Sequence, residues 1–309
     1  MREAFVLVGP TASGKSDVGQ LLAERMHAAI LSADSMLVYR DMDIGTAKPS
    51  RTERGDIPYL GVDLVCPDQS FDVWQYVKLV GKQVAALPPA KPLLIVGGSG
   101  LYVNALVHGL DRHRVAPVER ARWERLLSEK GVEGLQAVLR ERNPDALLGL
   151  ADPMNPRRLV RAIEQTYQDV DEKRSWRENM GKVRFAGLLP ENDLLRERVS
   201  QRVDRMYAAG LLAEAQRLRA RYPSLSKTAS QAIGYQEAFS VLDGVVHEAE
   251  ARDRTVVRTN RLAKRQRTWF RHQANVEWVS PGTHQGVETV AAEIEHIWRD
   301  NGSIQLGIE

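Results

Sequence analysis

The chain has 309 residues, a formal net charge of +3 at pH 7, 43% hydrophobic residues and one cysteine, Cys66. Its length allows one large or two smaller globular domains, and a single cysteine excludes an internal disulfide framework or a cysteine-based zinc site. No apolar run approaches the ~20 residues of a membrane span and no signal-like segment opens the chain, so we expect a cytoplasmic protein without a membrane partner.

Short apolar runs alternate with helical patterns over the first hundred residues. Such runs are typical of parallel strands that are covered on both faces. A charged loop rich in Gly and Pro follows the second run, at 41–58. The predicted strands are Ala4–Val8, Ala29–Ala33 and Leu93–Val96, and the predicted helices are Lys15–Met26, Val73–Leu87 and Leu101–Leu106.

The pattern changes after Gly109. Between 112 and 181 it is helical, with segments at 118–129, 134–142 and 155–167 separated by Asn-Pro and Asp-Pro breaks. Another apolar run at 183–189 predicts a further core strand, and the chain beyond it is mostly helical. We therefore expect an α/β fold with a P-loop parallel-sheet core and C-terminal helices (1–111 and 182–309), into which a small all-helical domain (112–181) is inserted.

The most specific local motif joins the first strand to the first helix. Residues 9–16 read Gly-Pro-Thr-Ala-Ser-Gly-Lys-Ser, which is a phosphate-binding loop. The backbone amides and the N-terminal end of the helix face the phosphates, Lys15 supplies a cation and Ser16 can hold Mg²⁺. On this motif alone, a kinase or nucleotide hydrolase is the default interpretation.

Asp34 follows the second strand, at the edge of the sheet where the phosphate loop lies. Three roles are open for its carboxylate. It could help to hold Mg²⁺, it could act as a general base, or it could be a helix N-cap, because Asp-Ser before an apolar run is a capping pattern.

A glycine cluster follows the third strand, in Val96-Gly-Gly-Ser-Gly-Leu-Tyr102. Glycine lets a backbone approach a ligand closely, although tight strand-to-helix turns also use it for structural reasons. The glycine cluster lies on the same sheet edge as the phosphate loop, and this position favours a role in the ligand-binding site.

Two basic stretches suggest a polyanionic partner. Three arginines fall within one helical turn at 157–161, and 251–275 carry seven Arg and one Lys against one Asp, a local charge of +7. Trp269 and Phe270 place aromatic rings beside this charge, as base-stacking surfaces do. A solvated basic face with Trp269 in the core is the alternative. The arginines of the second stretch that recur at helical spacing are Arg254, Arg258, Arg261 and Arg265.

Six segments, in order, resemble the tRNA dimethylallyltransferase (isopentenyl-tRNA transferase) family. The segments are GPTASGKS, DSMLVYRDMDIGTAKP, VGGSGLY, RRLVRA, QAIGYQE and KRQRTWFR, and they run over nearly the whole chain. The resemblance implies transfer of a dimethylallyl group from dimethylallyl diphosphate to the exocyclic N6 amine of the adenosine 3′ of a tRNA anticodon, with release of diphosphate. Mg²⁺ is the implied cofactor, and the tRNA anticodon stem-loop is the implied partner of a monomer.

The family resemblance also implies roles for individual residues. Lys15, Mg²⁺ at Ser16 and the loop amides would neutralise the leaving diphosphate, Asp34 would accept the proton of the adenine amine, and Thr11 would supply a hydroxyl at the reacting end. The target base would flip out of its stack. The implied diphosphate-binding residues are Gly9, Pro10, Thr11, Ala12, Ser13, Gly14, Lys15 and Ser16.

The tRNA contacts carried over from the family are spread along the chain. Ser99 stands where many members have Thr, and Gln236 stands where others have Lys or Arg, which puts a phosphate contact there in doubt. The zinc finger of eukaryotic relatives is missing, so a bacterial type is expected. The implied contacts are Asp34, Ser35, Met36, Leu37, Ser99, Arg120, Arg157, Arg158, Arg161, Gln231, Gly234, Tyr235, Gln236, Lys264, Arg265, Arg267, Trp269 and Arg271.

Other functions stay open at this point. An isopentenyltransferase acting on free adenine nucleotides would share the core motifs, but a small substrate does not need the basic segments. A small-molecule P-loop kinase would consume ATP. A pure RNA-binding module would not need a phosphate loop with Asp34 beside it.

Overall fold

The computed structural model describes residues 3–110, 117–167 and 183–308. The chain divides into two compact units, Met1–Gly109 with Asn179–Glu309, and Leu110–Glu178. The predicted domain boundaries at 111/112 and 181/182 lie outside the described residues. Within the described ranges, no helix combines the length and the apolar character that a membrane crossing requires.

The larger unit is built on one six-stranded sheet, and every pairing in it is parallel. The strand order is β3-β2-β4-β1-β5-β6, so β1 lies inside the sheet between β4 and β5. The predicted parallel α/β fold is therefore confirmed. The strands are β1 Ala4–Val8, β2 Ala29–Ser32, β3 Tyr59–Leu60, β4 Leu93–Gly97, β5 Arg184–Leu188 and β6 Asn275–Val279.

Helices connect the strands and complete the C-terminal part. The first four are α1 Lys15–Arg25, α2 Arg51–Arg54, α3 Val73–Ala85 and α4 Gly100–His108. The smaller unit holds α5 Pro117–Arg142, α6 Pro144–Leu148 and α7 Pro156–Gln165. The last six are α8 Asn192–Ala208, α9 Leu211–Arg221, α10 Lys227–Ser230, α11 Tyr235–Leu242, α12 Glu248–Gln273 and α13 Val287–Asn301.

The sheet is covered on both faces at β1, β2 and β4, which explains why these strands are almost wholly apolar. Side chains alternate along β4, so Leu93 and Ile95 join one core cluster and Leu94 and Val96 join the other. The second cluster includes Trp298 of α13, whose Nε1 donates to the Val6 carbonyl at 3.2 Å. Because both faces are covered, the carboxyl edge of the strands is where loops can form a site.

Two strands of the sheet were not predicted. β3 is two residues long, which is too short for a periodic pattern. β6 is an edge strand in which the exposed Asn275 and Glu277 alternate with the half-buried Val276 and Trp278. This alternation is the period-2 pattern of a half-buried strand. The chain after Asp193 therefore contributes to the sheet as well as supplying helices.

The smaller unit has its own apolar core on α5 and α7, with Trp123, Leu139 and Ile163 buried in it. The Asn-Pro breaks act as predicted, because Asn143 and Asn155 cap the next helix and a proline occupies its first turn. The two helices predicted at 118–129 and 134–142 form one element, α5, that is interrupted by a non-helical Gly131.

Candidate active site

The phosphate loop lies between β1 and α1, at the carboxyl edge of the sheet. Gly14 adopts φ 90°, a left-handed conformation that glycine tolerates best, and α1 begins at the next residue. The Lys15 Nζ donates to the Pro10 carbonyl at 3.0 Å and so curls back over the loop. The Ser13 hydroxyl is buried without a hydrogen-bond partner. The loop therefore presents a cation and an unpaired hydroxyl where the helix N-terminus attracts anions.

Asp34 follows β2 at the same edge. Residues 35–50 form turns and one isolated bridge, and no helix begins at Asp34, so the helix N-cap interpretation is wrong. The Asp34 Oδ1 instead accepts the Met36 amide at 2.8 Å, which fixes the carboxylate on the turn. Asp34 is half-buried. A carboxylate held in this way is available for proton transfer or for a cation.

The charges of Lys15, Asp34 and Arg202 act on one another. Burial lowers the pKa of Lys15 to about 8, while the Asp34 carboxylate raises it and Arg202 lowers it further. Burial also lowers the pKa of Arg202, against the opposing effect of Asp34. The Asp34 carboxylate therefore acts electrostatically on two partly desolvated cations, Lys15 and Arg202.

The glycine turn after β4 packs onto the Asp34 turn. The Ser99 amide donates to the Ala33 carbonyl at 3.2 Å, and the Ser99 Oγ accepts the Ser35 amide at 3.1 Å. Ser35 and Ser99, both predicted as RNA contacts, thus hold the two turns against each other. The hydroxyl that serine shares with threonine is sufficient for this bond.

An open cavity of about 1550 Å³ extends from the phosphate loop along α8. Arg198, Arg202 and Arg205 of α8 line it together with Lys15. The Arg198 Nη1 donates to the Ser13 carbonyl at 3.3 Å, and the Arg202 Nη2 donates to the Thr46 carbonyl at 2.9 Å. These arginines were not predicted, because α8 lies far along the chain and no local motif links it to the loop.

A buried lysine organises the segment after Asp34. The Lys48 side chain is 2% exposed, and its Nζ donates to the Tyr39 carbonyl, to Asp43 Oδ1 and to Asp63 Oδ1, each at 2.6 Å. All three donors of the ammonium are therefore used within the protein. Lys48 gives the DMDIGTAKP segment one folded shape, a role that the motif alone did not reveal.

The QAIGYQE segment contributes a second anchor for that loop. The Tyr235 side chain is fully buried, its hydroxyl donates to Glu214 Oε1 at 2.5 Å, and it accepts the Gly45 amide at 3.2 Å. Glu214 also accepts the Ile44 amide at 2.9 Å. The predicted RNA contact is therefore not available to the Tyr235 side chain, whereas Gln231 and Gln236 on the same segment are exposed.

The basic stretch 251–275 forms most of one long helix, α12. Some of its charge is already paired, because Arg254 contacts Glu250 at 2.6 Å and Arg258 contacts the buried Glu237. Arg267 donates to the side chain of Asn192. The predicted arginine stripe is thus only partly open to a partner. Besides the paired Arg254, the exposed cations are Arg261, Lys264, Arg265 and Arg271.

Trp269 is half-buried rather than fully presented to solvent. Its ring lies where a Cβ on Gly100 would stand, and it meets Phe270 edge-on with ring centroids 5.0 Å apart. Part of its surface is therefore used in packing α12 against α4. Base stacking on the rest of the ring stays a prediction.

In the smaller unit, Arg157 and Arg158 are exposed at the start of α7. Arg161 lies 3.6 Å from the buried Glu164 and is half-exposed. Arg120 is exposed on α5, 3.9 Å from Glu124. Exposed arginines on this unit fit its predicted part in binding RNA, which stays a prediction.

The fold and this edge define a P-loop α/β protein in which a carboxylate acts on two nearby cations. The family model described as IPP transferase matches residues 37–273. A tRNA dimethylallyltransferase of Streptomyces griseus is 39% identical over 282 residues, which cover 90% of each chain. This chain therefore belongs to the IPP transferase family.

Solved structures agree with the family assignment. A tRNA isopentenylpyrophosphate transferase of Bacillus halodurans is 32% identical, with a TM-score of 0.67 and coverage of 97% of this chain and 98% of that one. A eukaryotic dimethylallyltransferase, described as acting on tRNA, has a TM-score of 0.75 at 21% identity and covers 99% of this chain and 81% of its own. The second likeness supports the fold alone.

Proposed function

We propose that this protein transfers a dimethylallyl group from dimethylallyl diphosphate to the N6 amine of the adenosine 3′ of the anticodon in tRNA. The observation that carries the proposal is that the Asp34 carboxylate, at the carboxyl edge of the sheet, acts electrostatically on both Lys15 and Arg202. A kinase or hydrolase needs such cations too, and the family of the chain favours prenyl transfer. An amine that displaces diphosphate loses a proton, and the Asp34 carboxylate is placed to accept it.

The cations act on the leaving group. The bond between the first carbon of the prenyl group and the diphosphate oxygen breaks, and negative charge accumulates on the diphosphate. Lys15, Arg202 and the amides at the start of α1 stabilise that charge more in the transition state than in the bound substrate. Arg198 and Arg205 extend the positive lining along the cavity.

Asp34 acts on the nucleophile. The adenine amine is weakly nucleophilic because its lone pair is delocalised into the ring. As the new bond from nitrogen to carbon forms, the amine loses a proton, and the Asp34 carboxylate accepts it. The hydrogen bond from the Met36 amide holds Asp34 in place for this step. We assign to Thr11, in the loop, the role of a hydroxyl partner at the reacting end of the substrate.

Mg²⁺ is included in the proposal. Among the described residues, no group of three or more His, Cys, Asp or Glu is arranged to hold a metal ion. Mg²⁺ commonly needs only one or two protein ligands when substrate phosphates and water complete its shell. The exposed Ser16 hydroxyl at the start of α1 fits that role. The ion, when bound, supplies charge neutralisation for the diphosphate.

The RNA partner accounts for the basic surfaces. We propose that the anticodon stem-loop is bound by the exposed side chains of α12, by Gln231 and Gln236, and by the arginines of α5 and α7. We propose that the protein acts as a monomer. Because the site lies at a sheet edge, the target adenosine must leave its stack to reach Asp34. Most of the binding free energy would come from phosphate contacts.

The test is a product assay with two donors. The purified protein is incubated with unmodified tRNA and with either dimethylallyl diphosphate labelled in the prenyl group or ATP labelled on its terminal phosphate. We expect prenyl label in tRNA, located by nuclease mapping 3′ of the anticodon, and no ATP consumption. Label transferred to free AMP but not to tRNA would favour the nucleotide isopentenyltransferase. Phosphate transfer from ATP would favour a kinase.

A further inference from the structure

Gln266 stands within the basic motif Lys264–Arg271, but its side-chain amide contacts the phosphate loop. Its Oε1 accepts the Thr11 amide at 2.8 Å, a bond between residues that are 255 positions apart. Lys264 and Arg265 beside it are exposed, whereas Gln266 is half-buried. The helix therefore turns Gln266 toward the phosphate loop and its neighbouring cations toward solvent.

The glycine turn after β4 leaves room for this side chain. A Cβ on Gly98 would lie 2.6 Å from the Gln266 Nε2 and 2.9 Å from the Gly9 carbonyl oxygen. The Gln266 amide thus occupies the space between the phosphate loop and the glycine turn. Trp269, one helical turn further on, fills the place of a Cβ on Gly100. The two glycines accommodate α12, where the sequence predicted a ligand.

The contact has a direct consequence for the loop. A loop that binds diphosphate through its backbone needs its amides held in one orientation, and the Thr11 amide is fixed by Gln266. Thr11 is also the residue expected at the reacting end of the substrate. The strand-to-helix loop and the basic helix are consequently joined at the point where chemistry occurs.

We propose that Gln266 is a positioning residue for prenyl transfer: it sets the phosphate loop through the Thr11 amide, while its neighbours on α12 bind RNA. The proposal rests on the proposed function, because it assigns the loop to dimethylallyl diphosphate. Within one motif it separates a residue that acts on diphosphate from residues that act on tRNA.

The test compares Gln266→Met with Arg265→Met. Methionine keeps the length and the helix propensity of glutamine but leaves the Thr11 amide without its acceptor. We expect Gln266→Met to weaken binding of inorganic diphosphate and to raise the KM for dimethylallyl diphosphate about tenfold, with tRNA affinity unchanged. Arg265→Met should show the opposite pattern, with weaker tRNA binding and normal diphosphate binding.

Thermal unfolding of both variants shows whether either loses its fold. Gln266→Glu restores an acceptor for the Thr11 amide, and its tRNA affinity is measured as a second check. Unchanged diphosphate binding in Gln266→Met would overturn the proposal, and so would a loss of tRNA affinity in both Gln266 variants. Wild-type protein that binds diphosphate but transfers no prenyl group would refute the proposed function and leave the Gln266 contact to be judged by diphosphate binding.

Discussion

The Asp34 carboxylate and the Lys15 ammonium act on each other across the carboxyl edge of the sheet. Burial lowers the pKa of Lys15 to about 8, and Asp34 opposes that shift. The pair holds a proton acceptor and a phosphate-binding cation in one site. Arg202 of α8 adds a second cation whose pKa is also lowered by burial. Substitutions of Lys15 and Asp34 can therefore separate stabilisation of the leaving group from proton transfer.

Replacing Lys15 should remove most of the turnover. In Lys15→Ala the leaving diphosphate loses a cation placed in the loop, so we expect the rate to fall by several orders of magnitude. Binding of tRNA should change little, because the exposed cations of α12 are intact. Single-turnover prenyl transfer and filter binding measure the two effects. Near-normal transfer would remove the phosphate-loop assignment.

The affinity for dimethylallyl diphosphate should fall as the pH rises. Lys15 is charged below its pKa of about 8 and neutral above it, and only the charged form attracts diphosphate. The value of kcat/KM reports groups of the free enzyme, so it should decline through that region. In Lys15→Arg the guanidinium stays charged, and the decline should disappear. A wild-type profile that is flat through this region would contradict the assignment.

The exposed cations of α12 should carry the salt dependence of tRNA binding. In the triple variant Arg261→Ala, Lys264→Ala and Arg265→Ala, the log–log slope of affinity against salt should decrease by about 2, since each single-strand phosphate contact contributes about 0.7. Arg258 is left in place because it pairs with the buried Glu237. As a control, the exposed Lys78, Lys82 and Arg299 are replaced by alanine, which changes the net charge by the same amount. Equal slopes for the two triple variants would mean that the α12 face is merely solvated.

Tyr235→Phe separates a structural role from an RNA contact. The variant loses the hydroxyl that joins Glu214 to the Gly45 amide, so the free energy of unfolding should fall by about 1–3 kcal/mol. Turnover should also fall, because the loop at 41–48 loses an anchor, while tRNA affinity should be retained. Denaturant unfolding and filter binding measure both effects. Normal stability together with weakened tRNA binding would restore the RNA-contact interpretation.

The sequence predicted what local patterns encode. The loop at 9–16 lies between a strand and a helix as expected, and Asp34 lies beside Lys15. Contacts between segments that are far apart in the chain leave no local pattern in the sequence that would predict them. Arg202, Gln266 and the partnership of Tyr235 with Glu214 depend on how α8, α9, α11 and α12 pack on the sheet edge. Tyr235 shows the consequence, since a motif expected to bind RNA directly includes a buried side chain.

The edge strand β6 was not predicted, for a different reason. Its Val276 and Trp278 alternate with polar residues, and that signal was present in the sequence. The strand follows a long helix directly and lies at the edge of the sheet, where Asn275 and Glu277 stay exposed, so its pattern is short and only partly apolar. The pairing with β5 that makes it a strand joins residues about ninety positions apart in the chain.

The most direct measurement of the central claim is single-turnover prenyl transfer by Asp34→Asn at saturating substrates, across a Mg²⁺ series and well below the pKa of Lys15. Asparagine keeps the size of the side chain and an oxygen for the Met36 amide but cannot accept the proton. If Asp34 is the general base, both substrates still bind and the rate falls by about 10²–10⁴ at every Mg²⁺ concentration. Full activity, or recovery with added Mg²⁺, would contradict the claim.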